Sequence, residues 1–306
     1  MERAVLTGAT GAIGVALIHE LIEKNIEVLV LCRKDSRRRQ NIPLHPLVRI
    51  RYYSLDELAD LYNDTDTKYD VFYHFAWEGT MGNSRNDMYL QNRNVQYTLD
   101  AVNAAERLGC KVFIGAGSQA EYGRCGSDLN SRTPVFPENG YGIAKLCAGQ
   151  MSRVICEQKG MKHIWARVLS VYGPFDNAGT MIMSTIGKIL HGETPSLTKG
   201  EQLWDYIYSQ DAAKAFLLLA EHGADGKVYC IGSGKAFPLA YYIECVRNLI
   251  NPDVNLGMGA IPYQPKQIMY LCADISELTK DTGFVPVYTF DEGIRRTITW
   301  YKEHNL

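Results

Sequence analysis

The chain has 306 residues, of which 46% are hydrophobic and 22% are charged, so it is long enough to bury one large core. The net charge of -2 excludes binding to nucleic acid or to an anionic membrane through overall charge, and no apolar run approaches the ~20 residues that span a bilayer. The eight cysteines form no CxxC pair and no cluster with histidine, and the N-terminus lacks a signal-peptide layout. These features favour a cytoplasmic protein with free thiols, no metal site, and neither nucleic acid nor membrane as a partner.

Strand and helix patterns alternate through the first half of the chain. Short apolar runs predict strands over Arg3–Leu6, Glu27–Leu31, Val48–Tyr52, Asp70–Phe75, Lys111–Gly115 and Lys162–Val168. Helical periodicity follows the first, fourth and fifth of these runs, over Ile13–Glu23, Asp87–Leu108 and Gly142–Lys159. This order predicts an α/β fold with a doubly wound parallel sheet of the Rossmann type.

The second half of the chain is less regular. Glycine, proline and asparagine cluster at Gly173–Gly179, as they do at domain boundaries. We therefore expect a dinucleotide-binding domain over residues 1–172. Residues 173–306 are expected to form mainly a smaller α/β region that binds the substrate, with some segments returning to the Rossmann core.

A glycine-rich turn joins the first predicted strand to the first predicted helix, with its glycines spaced as GxxGxxG. Glycine permits a tight turn and lets the backbone approach a pyrophosphate at a helix N-terminus, where the helix dipole favours anions. The strand before the turn and the helix after it favour a dinucleotide site over a purely structural turn. The candidate cofactor-binding residues in it are Gly8, Thr10, Gly11, Ala12, Ile13 and Gly14.

The end of the second predicted strand bears on the choice of cofactor. Proteins that bind NAD usually carry an Asp or Glu there, about 20 residues after the glycines, which binds the ribose 2′-hydroxyl. This chain has Cys32 and Arg33 instead, followed by a basic loop. Because a guanidinium matches a 2′-phosphate, we predict NADP(H), bound through Arg33, while NAD(H) remains open. Arg38 and Arg39 are interpreted as solvated residues of the loop.

Tyr141 and Lys145 form a YxxxK motif, which places a phenol and an ammonium on one face of a helix. The cation favours the phenolate, so Tyr141 can exchange a proton with a sugar oxygen while hydride moves to or from nicotinamide. Ser118 follows the fifth predicted strand, where the active sites of doubly wound sheets gather, and can donate to the same oxygen. The predicted catalytic residues are therefore Ser118, Tyr141 and Lys145.

Several motifs in this order resemble the extended short-chain dehydrogenases/reductases, and within them the NAD-dependent epimerase/dehydratase family. The motifs are TGxxGxxG at Thr7–Gly14, HFAW at His74–Trp77, SxxxYG at Ser118–Gly123 and YxxxK at Tyr141–Lys145. Further segments are similar to the family's NVxGT helix at Asn94, its RxxNVYGP at Arg167–Pro174 and its GxQxRDFIxVxD at Gly200–Asp211. The resemblance spans nearly the whole chain.

The resemblance implies roles for the site residues. Tyr141 is expected to act as general acid/base, with Lys145 holding the nicotinamide ribose. Residues expected to line the cofactor are Phe75, Ala76, Trp77, Asn94, Leu169 and Val171, and those expected to line the substrate are Trp77, Ser118, Ser170 and Trp204. The resemblance also implies a nucleotide-sugar substrate and a homodimer formed through the helices that contain Asn94 and Tyr141.

Some positions depart from the family pattern. Ser170 replaces an Asn, Trp204 replaces an Arg that grips the diphosphate, and Trp77 stands where a small residue is common. Trp204 is either a stacking surface for the substrate or a packed side chain. Gln119 stands where dehydratases carry an acid directly after the serine or threonine, so 4,6-dehydration is not expected. Glu121 is interpreted as an ordinary loop carboxylate.

The favoured function is NADPH-dependent reduction of the 4-keto group of a nucleotide-linked 4-keto-6-deoxysugar. The nicotinamide supplies hydride and Tyr141 supplies a proton. The basic end of the second strand and the missing dehydratase acid favour this reaction. The alternative is an NAD-dependent nucleotide-sugar 4-epimerase, which keeps its cofactor bound. A catalytically idle cofactor sensor ranks third, because the serine, tyrosine and lysine of the predicted site are all present.

Overall fold

The computed structural model of the chain describes residues 1–63 and 66–305, and within them it contains twelve strands and eight α-helices. The strands are β1 (Arg3–Thr7), β2 (Glu27–Cys32), β3 (Val48–Tyr52), β4 (Val71–His74), β5 (Val112–Ser118), β6 (Lys162–Val168), β7 (Ser170–Tyr172), β8 (Leu203–Trp204), β9 (Tyr206–Tyr208), β10 (Lys227–Ile231), β11 (Phe237–Pro238) and β12 (Tyr270–Leu271). The helices are α1 (Ala12–Glu23), α2 (Met88–Arg107), α3 (Gly140–Gln158), α4 (Met181–Leu190), α5 (Ser209–His222), α6 (Leu239–Ile250), α7 (Ser276–Thr282) and α8 (Phe290–Asn305).

Seven of the described strands form a central parallel sheet in the order β10-β6-β5-β4-β1-β2-β3. Successive side chains of a strand point to opposite faces, so Ala4 and Leu6 of β1 enter one apolar core and Val5 enters another. Helices α1 and α5 cover the first core, and α2 and α3 cover the second. The predicted α/β fold with a doubly wound parallel sheet is confirmed.

The strand order reverses between β1 and β4. The connections that leave these two strands therefore run to opposite faces of the sheet, which opens a crevice at the carboxyl ends of β1 and β4. The glycine turn after β1 and the segment after β4 border this crevice. β5 continues to Ser118, beyond its predicted end at Gly115, because Ala116–Ser118 pairs with Ala166–Val168 of β6. Ser118 is therefore the last residue of a strand rather than part of the following loop.

Segments from the second half extend and cover this sheet. β10 is an edge strand beside β6, and α5 packs along α1. Two small sheets lie outside the central one, β7 with β9, and β11, β8 and β12 together. A further core of aromatic and aliphatic side chains joins α4, α6 and α8 to β7 and β9. Across the described ranges, no helix combines the length and apolarity needed to cross a membrane.

Candidate active site

The crevice between β1 and β4 is a cleft of about 520 Å³. Gly8 in its wall has a φ of +75°, and a Cβ added there would come within 2.6 Å of the Ala76 backbone nitrogen. A Cβ on Gly14 would collide with the Gly8 carbonyl oxygen, so close backbone contact requires glycine at both positions. Gly11 differs, because a Cβ there would meet no described atom within 4 Å. Packing therefore does not explain Gly11, which lines the cleft.

Gly11 is also the N-cap residue of α1. None of the described side chains caps the helix there, and the first turn of α1 carries no acidic residue. The N–H groups of a helix's first turn lack partners within the helix and carry the positive end of the helix dipole. Open space beside uncapped N–H groups suits a bound pyrophosphate. The turn thus fits a dinucleotide cofactor.

The other end of the cleft lies at the carboxyl ends of β2 and β3, where Arg33 stands exposed at the rim. Arg38 also lines the cleft. Its interpretation as a solvated residue is wrong, because the side chain is half-buried and its Nη2 donates to the Phe175 carbonyl oxygen. Arg39 is exposed, as expected. Glu78 is the one acidic residue among those described as lining the cleft, and it follows β4 rather than β2.

Sequence reasoning missed several lining residues that follow β3. They are Tyr53, Ser54, Leu55 and Leu58. β3 pairs with β2 in parallel, with Tyr52 opposite Cys32, so the residues after both strands reach the same cleft. The signal was available in the chain order, because a strand that follows β2 in a doubly wound sheet commonly lies beside it.

The predicted residues after β4 border the cleft. Phe75, Ala76 and Trp77 all line it, and the Trp77 indole N–H donates to Gln91 Oε1 at 2.8 Å, which fixes the ring. Asn94 lies behind the wall: its side chain is buried, accepts the Glu78 N–H and donates to the Glu78 carbonyl, both at 2.9 Å. Asn94 therefore holds the backbone of the wall, and a direct contact with a ligand stays a prediction.

Lys145 lies where α3 packs against the end of β5. Only 4% of the residue is exposed, and its Nζ donates to the Ala116 carbonyl oxygen at 2.6 Å. The same Nζ lies 3.8 Å from the centre of the Trp77 ring and 5.8 Å from that of Tyr141. Burial lowers the pKa of Lys145 to about 7, against the opposing charge of Glu121. Lys145 therefore titrates near neutral pH.

Tyr141 has a second cation beside it. The guanidinium carbon of Arg85 lies 4.3 Å from the centre of the Tyr141 ring. Burial raises the pKa of Tyr141, whereas hydrogen bonding with Ser118 and the charge of Arg85 lower it. Because a guanidinium stays charged at all working pH values, Arg85 is a more constant source of positive potential than Lys145. Sequence reasoning missed Arg85, whose position relative to α3 depends on how the segment after β4 folds back.

Glu121 differs from the loop carboxylate expected from the sequence. It is fully buried: one oxygen accepts from the Ser118 N–H at 2.8 Å and from the Trp165 indole N–H at 3.0 Å, and the other accepts from Arg167 Nε at 2.6 Å. The Glu121–Arg167 pair thus fixes the end of β5, and with it the position of Ser118. The available signal was Arg167, which follows the apolar residues Ile164–Ala166 of β6, because a buried charge requires a partner.

The family model described as "NAD dependent epimerase/dehydratase family" matches residues 4–232. The chain belongs to this family. A relative from Methanocaldococcus jannaschii, provisionally named UDP-glucose 4-epimerase, is 26% identical over 314 residues, covering 98% of this chain and 99% of its own length.

Two solved structures show the same fold as this family member. A UDP-N-acetylglucosamine 4-epimerase from Methanobrevibacter ruminantium, in complex with UDP-N-acetylmuramic acid, matches with a TM-score of 0.88 and 24% identity, over 99% of this chain and 98% of that one. A dTDP-glucose 4,6-dehydratase from Streptomyces venezuelae, with NAD bound, matches with a TM-score of 0.86 and 21% identity, over 99% and 97%. The predicted family, Rossmann-type fold and class of NAD(P)-dependent enzyme are confirmed.

Two departures from the family pattern contact each other. The Trp204 indole N–H donates to the Ser170 hydroxyl at 2.7 Å, which joins β8 to β7. Trp204 is half-buried and packs against apolar clusters, so it is at least partly a packed side chain. Leu169 and Val171, on either side of Ser170, enter apolar clusters of the core. Ligand contacts by these four residues stay predictions.

Proposed function

We propose that this family member is an NADPH-dependent reductase of the 4-keto group of a nucleotide-linked 4-keto-6-deoxysugar. The observation that carries the proposal is the charge at the carboxyl end of β2. Arg33 and Arg38 line the cleft there, at the position where an NAD-specific protein carries a carboxylate. Guanidinium groups favour a 2′-phosphate over a 2′-hydroxyl. Net reduction uses one NADPH per turnover, which suits an open cleft with an exposed arginine at its rim.

The chain supplies the binding groups for the cofactor. The Gly8–Gly14 turn and the N-terminus of α1 are assigned to the pyrophosphate, Arg33 to the 2′-phosphate and Lys145 to the nicotinamide ribose. Bound NADPH supplies the hydride for the 4-keto carbon. Phe75, Ala76 and Trp77 form an apolar part of the wall of this cleft. Residues 173–306 are assigned mainly to the nucleotide-sugar, with Ser170 and Trp204 at the boundary.

Tyr141 and Ser118 are assigned the proton chemistry. The Ser118 hydroxyl donates to the carbonyl oxygen and polarises it, while Tyr141 transfers its proton to that oxygen as the carbon is reduced. Arg85 and Lys145 stabilise the phenolate that remains. Glu121 accepts the Ser118 backbone N–H, and the Ser118 hydroxyl accepts the Ala120 N–H at 3.2 Å, so both contacts help to position the hydroxyl.

A nucleotide-sugar 4-epimerase is the second candidate. It is favoured by the relative from M. jannaschii, which bears that name and matches 98% of this chain. An epimerase oxidises and then reduces the same carbon, so it retains its cofactor between turnovers. The two candidates use the same serine, tyrosine and lysine, and they differ in whether cofactor leaves.

Calorimetric titration of the purified protein with NADPH and with NADH tests the proposal. We expect reversible and tighter NADPH binding, which Arg33→Ser weakens about tenfold without changing NADH affinity. Arg39→Ser is the matched control from the same loop, and it should leave both affinities unchanged. The absorbance of NADPH should fall when a 4-keto-6-deoxy nucleotide-sugar is added. NAD⁺ that copurifies in the site, with no NADPH oxidation by any such sugar, would favour the epimerase.

A further inference from the structure

A second large cavity, of about 600 Å³, lies between β9, the first turn of α6 and the segment that leads into α8. None of its described lining residues also lines the dinucleotide cleft, and they do not include Ser118, Tyr141, Ser170 or Trp204. Its volume is typical of small-molecule sites, which span about 300–1,000 Å³. The proposed reaction names no side chain of this cavity, so the chemistry of the lining must indicate its occupant.

Aromatic rings dominate the lining. Eight of the described lining residues are tyrosine or phenylalanine. The centre of the buried Tyr242 ring lies 5.0 Å from that of Tyr206 and 4.6 Å from that of Phe290, and both pairs are edge to face. A planar ring of a ligand can continue this pattern, because aromatic rings attract one another in edge-to-face and offset arrangements. The lining therefore favours an aromatic ligand.

The rim of the cavity is apolar and exposed. Phe237 and Tyr241 are each 42% exposed, Val285 is 64% exposed and Val287 is 75% exposed. Single exposed apolar side chains are common, but a group of them around a cavity marks a binding groove. A ligand ring in the cavity would cover apolar surface that the folded chain leaves in contact with solvent.

Lys235 supplies positive charge to the cavity. It is exposed, and it forms no ion pair with another residue that the structure describes. The acidic residue of the described lining, Asp211, is 2% exposed, and its two oxygens accept the N–H groups of Val287 and Tyr288 at 2.9 and 3.0 Å. Asp211 thus stabilises the wall, whereas the Lys235 ammonium is available to an anionic group of a ligand.

We propose that this cavity binds a planar aromatic ligand that carries one carboxylate. The ring lies among the aromatic side chains beside Tyr241 and Tyr242, and the carboxylate pairs with Lys235. Tyr242 joins the cavity to Trp204 through the backbone, because its hydroxyl donates to the Trp204 carbonyl oxygen at 2.7 Å. Since the Trp204 side chain is not among the described lining, the ligand binds beside the proposed substrate rather than in its place.

The test uses three small probes in calorimetric titrations of the full chain in the presence of NADPH. Indole-3-acetate has a planar ring and a carboxylate, tryptophol has the same ring without the charge, and acetate has the charge without the ring. We expect indole-3-acetate to bind with a Kd of about 1 mM or lower. Tryptophol should bind about 3- to 10-fold more weakly, and acetate should not bind.

Two variants locate the probe. Lys235→Gln should weaken indole-3-acetate to the affinity of tryptophol and leave tryptophol unchanged, whereas Tyr241→Ala should weaken both by about 3- to 10-fold. Lys199→Gln is the matched control, because this exposed lysine is not among the described lining residues. Unchanged tryptophol binding in Lys235→Gln would also show that the variant folds.

No binding of indole-3-acetate, or equal binding by the wild type, Lys235→Gln and Tyr241→Ala, would overturn the proposal. Equal affinities of the wild type for indole-3-acetate and tryptophol would overturn the role of the carboxylate. Competitive displacement of indole-3-acetate by UDP-glucose would overturn the proposal as well, because the cavity would then belong to the nucleotide-sugar site. These results do not depend on whether the protein oxidises NADPH.

Discussion

The buried ion pair between Glu121 and Arg167 can be broken by Glu121→Gln, which keeps the shape of the side chain and removes its charge. The side chains are 0% and 4% exposed, so the variant leaves a guanidinium in the interior without a counter-charge. Removal of one partner of such a pair costs about 3–5 kcal/mol in the free energy of unfolding. The Tyr122 ring, 4.5 Å from the guanidinium carbon, offsets only part of this loss, because a cation–π contact is weaker than an ion pair.

The same substitution should disturb Ser118. A glutamine Oε1 can still accept from the Ser118 and Trp165 N–H groups, but its Nε2 then faces Arg167 Nε, donor against donor. Relief of that conflict should shift the end of β5 and with it the position of Ser118. Because catalysis depends on placement at the ångström scale, we expect kcat to fall at least about tenfold.

Urea unfolding followed by fluorescence and circular dichroism measures the stability effect. Glu138→Gln is the matched control, because its pair with Arg124 is partly exposed and solvent screens it, so its loss should change stability far less. Adding Arg167→Met to Glu121→Gln removes the unpaired charge and should restore much of the stability. A loss in Glu121→Gln no larger than that in the control would refute the argument from burial.

Four further predictions concern the active site and assembly. Tyr141→Phe should bind NADPH normally but lower its oxidation by about 10²- to 10⁴-fold in a steady-state assay, and normal turnover would contradict the mechanism. Arg85→Gln should raise the apparent pKa on the basic side of the kcat–pH profile, because the Arg85 charge lowers the pKa of Tyr141, whereas Arg85→Lys should raise it less. Lys145→Met should stabilise the cofactor-free protein most below pH 7 and progressively less above it, because burial lowers the pKa of Lys145 from 10.5 to about 7 and unfolding restores the higher pKa. Urea unfolding at a series of pH values measures this gain in stability, and a gain that does not vary with pH would contradict the prediction. Light scattering should show a dimer that Ile143→Glu, on the exposed face of α3, dissociates. Leu44→Glu, at a fully exposed position, is the control and should leave the dimer intact.

Sequence patterns could predict the central sheet because each of its elements carries a local signal. The apolar runs of β1, β2 and β4 and the glycine turn after β1 are readable without knowledge of their neighbours. The strands outside that sheet are different: β8, β11 and β12 have two residues each, too few for a periodic pattern. Such strands form only when tertiary contacts bring their partners together, so sequence periodicity could not locate them.

The same division applies to the site. The YxxxK spacing fixes Tyr141 and Lys145 on one helix face, so local geometry predicts their proximity. The positions of Glu121 and Arg38 depend on partners 46 and 137 residues away in the chain. The pattern of β6 indicates that Arg167 needs a partner, but it does not identify which residue supplies it. The local pattern therefore predicts ordinary loop residues at both positions, although their partners lie in distant segments.

Positive charge in this enzyme is distributed by task rather than by overall excess. The net charge is -2, so attraction of anionic ligands must come from local clusters. Arg33 follows β2 and faces the proposed 2′-phosphate, and Arg85 follows β4 and lies over Tyr141. Each cation comes from a different connection at the carboxyl side of the sheet. Neutralising one cluster should therefore weaken one ligand or one step while leaving the others intact, which a protein that attracts its ligands through overall charge would not show.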